Sequence, residues 1–208
     1  MGRGDARNEG LGEIPYGMPA EYRDLCVESI YEYGARAGVW RLLRLFEEYR
    51  VPTTFYAAAV AFEQNPELAK AVVGGGHEVC SHGWRWEEPW VLSREEEREH
   101  MAAAIASFER TCGTRPVGWY CRYGPSVHTR ELLVEEGGFL YDSDAYNDDL
   151  PYYVSVGDKR QLVVPYTMVY NDVKYAMPPA WPARPTSSTS AAAVSTSCCA
   201  RAAPGGRG

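Results

Sequence analysis

From Val39 onward the chain switches its hydrophobic period repeatedly, and that alternation restricts the available folds more than any other feature. The stretch "AGVWRLLRLFEEYR" sets Val39, Leu42, Leu43 and Phe46 on one helical stripe. "VPTTFYAAAV" then reads as a buried strand, and "PELAKAVVGGG" as a short helix opened by proline and closed by glycine. "HEVCSH" is the next strand. "SREEEREHMAAAIASFERTCG" is the clearest helix, with Ser93 and Glu96 in capping-box positions and Gly113 as its stop. "PVGWYCR" reads as a strand, "TRELLVEEGG" as a helix opened by Thr129, "FLYDSD" as a strand and "QLVVPY" as one more. Strands and helices alternating at this spacing imply parallel β-α units. The recognisable units are too few for a full eight-stranded barrel, so an α/β domain with an incomplete barrel is expected.

In such folds the chemistry gathers on loops at the carboxyl ends of strands. Three strand exits here carry polar candidates: His82 after "HEVC", Arg122 after "VGWYC", and Asp142 with Asp144 after "FLY". A zinc site would place a second imidazole one helical turn beyond His82, but Trp86 stands there. An indole offers an N–H donor and no lone pair. His77 lies five residues back, which on a strand is the opposite face, and reads as a structural histidine. Close carboxylates raise one another's pKa, so Asp142 or Asp144 could serve as a base near neutrality. Asp148 and Asp149 read as turn residues before Leu-Pro. Arg122 suits either a substrate oxygen or a plain salt bridge. His100 and His128 read as surface residues, and the six cysteines as buried free thiols, since none forms a C-x-x-C pair.

Several classes are disfavoured. A formal charge of −7 over 208 residues argues against nucleic-acid binding, which needs a basic face. No run approaches the length of a membrane span, and the first residues carry no apolar stretch of the secretory kind, so a cytoplasmic protein is expected. Dinucleotide, P-loop, serine-hydrolase and zinc-deaminase motifs are missing. After Trp181 the composition turns to Ala, Ser, Pro, Thr and Gly without periodicity, which predicts a disordered low-complexity tail over residues 182–208. Residues 1–27 read as a poorly defined segment, leaving 28–181 as the folded domain.

The strings "GGHEVCSHGWRW", "GWYCRYGPS" and "GGFLYDSDAYNDDLPYY" resemble the polysaccharide deacetylase (NodB-homology) superfamily, in particular its allantoinase-like branch. "ESIYEYGARAGVWRLLRLFEE" and "YNDVKYAMPPAW" are similar to that branch too. The resemblance implies a distorted (β/α) barrel of the glycoside hydrolase/deacetylase type, incomplete at both ends, and hydrolysis of a non-peptide C–N bond. Typical relatives hold a divalent metal with an aspartate and two histidines. His82 falls on the first histidine and Trp86 replaces the second, as in the branch understood to work without metal, whose implied substrate is allantoin. Arg122 matches the arginine of the family's third motif, and Asp142 falls in the acidic strand end that follows. The family's first motif, paired acids on an early strand, has no clear counterpart here beyond Glu9, and its late motif does not follow "MPPAW".

The expectation is therefore an enzyme that needs no cofactor and acts on a small molecule. His82, Arg122, Asp142 and Asp144 would be catalytic, and Trp84, Trp86 and Tyr120 would wall the substrate. A homo-oligomer is compatible with it. The alternatives are a metal-dependent deacetylase of an N-acetylated sugar polymer, and an inactive binding module.

Overall fold

The protein is described by a computed structural model covering Pro19 and residues 22–171. The tail from 182, Glu9, Cys198 and Cys199 lie outside the described residues. The chain divides into two units, the first ending at Pro165 and the second starting at Tyr166. Of the second unit, residues 166–171 are described; they hold a 3₁₀ turn, Met168–Tyr170, in which Thr167 accepts from the Val169 N–H.

The first unit opens with α1 (Leu25–Tyr33), capped by Asp24, which accepts from the Val27 N–H. A π-helical turn, Gly34–Gly38, links it to α2 (Val39–Tyr49). On α2, Val39, Leu43 and Phe46 are half-buried, whereas Leu42 is exposed, so the apolar stripe is narrower than its spacing suggests. β1 (Thr54–Ala57) leads to α3 (Ala59–Gln64) and α4 (Pro66–Gly74), so "VPTTFYAAAV" is a strand at its centre and already enters α3 at its last two residues. β2 (Glu78–Ser81) precedes a long loop and α5 (Arg94–Cys112). The α5 capping box is present in full, and Gly113 closes the helix in the left-handed conformation at φ +71°. β3 (Gly118–Trp119), α6 (Thr129–Glu136), β4 (Tyr141–Asp142), β5 (Tyr152–Val156) and β6 (Lys159–Val163) complete the order.

The strands form one sheet in the order β1-β2-β3-β4-β6-β5. The first five in that order run parallel, and β5 returns antiparallel to β6. Among the described residues the sheet does not close on itself, which is the incomplete (β/α) barrel. The core is built by α3, α4 and α5 against the sheet, with Phe62 edge-on to Phe108 at 6.0 Å. β3 passes so close to β4 that a Cβ on Gly118 would meet the Tyr141 ring at 2.2 Å, so glycine alone fits there.

All four described cysteines are free thiols. Cys80 and Cys121 are buried, and burial pushes both thiols up; Cys26 is exposed, against the expectation for it. Among the described residues no helix is long and apolar enough to cross a membrane.

Candidate active site

The parallel ladder continues past the strand ends and sets the rim. His82 N–H donates to the Ala57 carbonyl (2.8 Å), Tyr120 N–H to Ser81 (2.9 Å), Ser143 N–H to Trp119 (2.8 Å) and Val164 N–H to Asp142 (2.9 Å). Positions 82, 120–122 and 142–144 therefore leave the sheet at one level, as alternation implies.

His82 is held at both ring nitrogens. Its Nδ1 lies 2.7 Å from the Tyr120 carbonyl, which accepts, so the proton sits on Nδ1. Its Nε2 accepts the Trp86 indole N–H at 3.2 Å. The Tyr120 ring stacks on the imidazole, 5.3 Å between centroids and 12° apart. Burial, together with Arg122, holds the imidazole below its ordinary pKa and keeps it neutral.

These contacts decide how a metal would fit. A neutral imidazole ligates through its one free lone pair, and in His82 that lone pair receives the indole proton. Trp86 itself supplies no lone pair. Among the described residues no cluster of three His, Cys, Asp or Glu side chains could hold a metal ion. The residues described do not fit the aspartate-and-two-histidine site of typical relatives.

Arg122 is 4% exposed. Its Nη1 donates to the Trp86 carbonyl at 2.7 Å, and its guanidinium lies 4.1 Å above the Trp86 ring and 4.6 Å from the Tyr123 ring. Glu88, also buried, is 3.8 Å away. Arg122 thus both pairs with a carboxylate and clasps Trp86.

The two acids of the next strand end differ. Asp142 is chelated by Arg130, with Nε to Oδ2 at 3.0 Å and Nη2 to Oδ1 at 2.8 Å. Asp144 accepts the Cys121 N–H on Oδ1 (2.8 Å), while Oδ2 is buried without a hydrogen-bond partner. Burial is the main cause that pushes its carboxyl up to about 7, with the Asp142 charge a lesser one. The folded state keeps this proton to higher pH than the unfolded chain. The stability it contributes is therefore full below about pH 4 and lost as pH rises through about 7. Asp144→Asn should match the parent at the acid end and become the more stable by a few kcal/mol at the alkaline end. Urea unfolding across that window checks it; a constant gap between the two proteins would place the shift elsewhere.

Of the aromatic wall candidates, Trp86 and Tyr120 touch His82, and Trp84 lines a small cavity together with His82 and Arg122. The Trp84 ring packs on the core and sits edge-on to His100 at 5.3 Å. His100 is not a surface residue: it is half-buried, with Nδ1 2.5 Å from Glu87. His128 is half-buried at the start of α6, and His77 sits at the amino end of β2 between Phe46 and Phe55, its buried Nδ1 unpaired. Asp148 accepts from the amides of Asp149 and Leu150, which is turn chemistry. A groove of about 740 Å³ lies beside His77. It lies at the amino ends of the strands, away from the rim, so volume does not mark the site.

Residues invisible to sequence reasoning support the rim. Tyr31 of α1 meets Trp86 edge-on at 5.8 Å. Glu97, buried on α5, accepts hydrogen bonds from the Thr129 and Ser126 hydroxyls and fixes the loop that carries Arg122. No local pattern marks these; they follow from tertiary contact.

Parallel strands thus bring a histidine, a buried arginine and an acid with a raised pKa to one rim of a (β/α) domain. The chain belongs to the polysaccharide deacetylase family, whose model matches residues 21–139. It is 34% identical over 128 residues to the peptidoglycan deacetylase of Helicobacter pylori, the match covering 61% of this chain and 43% of that protein. Among solved structures, a probable polysaccharide deacetylase from Pseudomonas aeruginosa PAO1 is 46% identical with a TM-score of 0.75, over 84% of this chain and 57% of that one. The Puue allantoinase is 38% identical with a TM-score of 0.83, over 95% of this chain and 65% of that one. The chain spans about half the length of the curated relatives it matches.

Proposed function

We propose that this chain carries the site of a C–N hydrolase that opens a cyclic amide, allantoin to allantoate, without a metal. The observation that carries the reading is Trp86, whose indole stands 3.2 Å from His82 Nε2 and offers a metal no lone pair. The likeness to the Puue allantoinase supports the same direction. In this reading a water adds to the ring carbonyl. The Asp144 carboxylate, or His82 Nε2 once the Trp86 N–H has turned away from it, takes its proton. Arg122 meets the oxyanion that develops; as it collapses, the C–N bond breaks and the proton held by the base passes to the leaving ring nitrogen. Trp86 and Tyr120 confine a small flat ring.

The test sets allantoin against an N-acetylated chitooligosaccharide, each with and without a chelator. Chelator-resistant allantoin opening, rising with pH through about 7, is expected. Metal-dependent release of acetate from the oligosaccharide, or turnover of neither, would overturn the proposal. The last outcome would favour an inactive binding module.

A further inference from the structure

The loop after β3 holds a backbone conformation that sequence and fold do not explain. Tyr123 has φ +59°, in the left-handed region that side chains larger than glycine rarely adopt. The cost has a visible result: the chain doubles back, and the Tyr123 ring lies over the guanidinium of its own neighbour, 4.6 Å from ring centre to Arg122 Cζ. The Tyr123 hydroxyl accepts from Arg122 Nη2 at 3.3 Å. Trp86 lies against the same guanidinium at 4.1 Å, so the arginine is layered between two rings. Tyr123 is itself 56% exposed, with its ring between Trp86, 6.3 Å away, and Trp90, 51% exposed and 6.4 Å away. An arginine 4% exposed thus lies beneath a ring that is mostly in solvent.

We propose that Tyr123 is a displaceable cap on Arg122, its hydroxyl occupying the place where a carbonyl or carboxylate oxygen of the substrate binds. Three features fit a cap better than a structural clamp. The hydrogen bond is long for one to a charged donor. The ring faces water, so moving it exposes little apolar surface. The left-handed backbone stores strain that movement releases. A flat ligand taking the place of the Tyr123 ring would exchange the phenol oxygen for its own and keep the guanidinium stacked. Tyr123 then sets specificity: a ligand must offer an oxygen acceptor good enough to replace a phenol.

The inference rests on the rim being a substrate site, but its test reads Arg122 directly and needs no turnover. Phenylglyoxal modifies exposed guanidinium groups, and mass spectrometry of the peptide containing residue 122 follows the rate. In the parent protein Arg122 should react slowly. Tyr123→Gly removes the ring and relieves the strained φ, and Tyr123→Asn removes the ring in a residue that tolerates left-handed backbone. Both should react about tenfold faster, the scale of one lost cation–π contact and hydrogen bond. Adding allantoin to either variant should return the rate to that of the parent. Equal labelling of parent and both variants would overturn the cap. Faster labelling that neither allantoin nor free N-acetylglucosamine suppresses would overturn substrate displacement. Protection by N-acetylglucosamine in place of allantoin would keep the cap and instead overturn the allantoin reading.

Discussion

His82→Ala and Arg122→Ala should each lower the rate of allantoin opening by about 10²–10⁴-fold, the range that loss of a proton-transfer or oxyanion-stabilising group produces. His77→Ala should leave the rate within a few-fold and lower thermal stability. The three differ in where the sheet puts them. His82 leaves the carboxyl end of β2, with its tautomer fixed by the Tyr120 carbonyl. Arg122 leaves the carboxyl end of β3, clasped to the same Trp86 that bonds His82. His77 enters β2 from the opposite end and packs between Phe46 and Phe55. Steady-state rates of variants shown to be folded by circular dichroism make the comparison. Equal losses at all three positions would place the reacting centre somewhere other than this rim.

Arg130→Met should lower stability by about 3 kcal/mol, the low end of what breaking a buried ion pair costs. Asp142 is 1% exposed, and both its oxygens are engaged by Arg130. Without the guanidinium a carboxylate is left in the protein interior with no matching charge. The low end applies because the Arg130 side chain is itself 33% exposed, so water can partly take its place. Arg130→Met with Asp142→Leu should recover much of the loss, since an apolar pair needs no partner. Denaturant midpoints of the single and double variants read this out. If the single change is neutral, the pair is not what keeps Asp142 in place.

What could be read from the sequence follows from how local each signal is. The long helix α5 was legible down to its caps, because Ser93, Glu96 and Gly113 act within one turn of where they stand. The rim was legible because strand alternation and the carboxyl-end rule place His82, Arg122 and Asp144 without knowledge of any contact. β5 was not, since an antiparallel return needs a partner strand to define it, and its residues alternate only between half-buried and exposed. α1 and the π-helical turn were missed because α1 buries only Val27, and Leu25, Ile30 and Tyr33 face outward. His100 was misjudged for a related reason: the charged helix around it suggests solvent, but Trp84 and Glu87 fold back over it from a distant loop. The same distance hides Tyr123, whose role depends on a dihedral angle that no residue pattern announces.

The state of the cysteines reaches beyond the rim. With Cys26, Cys80, Cys112 and Cys121 all free, the described fold draws no stability from a covalent crosslink. Burial keeps the Cys80 and Cys121 thiols in their protonated, unreactive form. The redox poise of the surrounding compartment therefore has little hold on this architecture, and an oxidant or alkylating reagent would meet Cys26 on α1 first, on the only described thiol that faces fully into solvent.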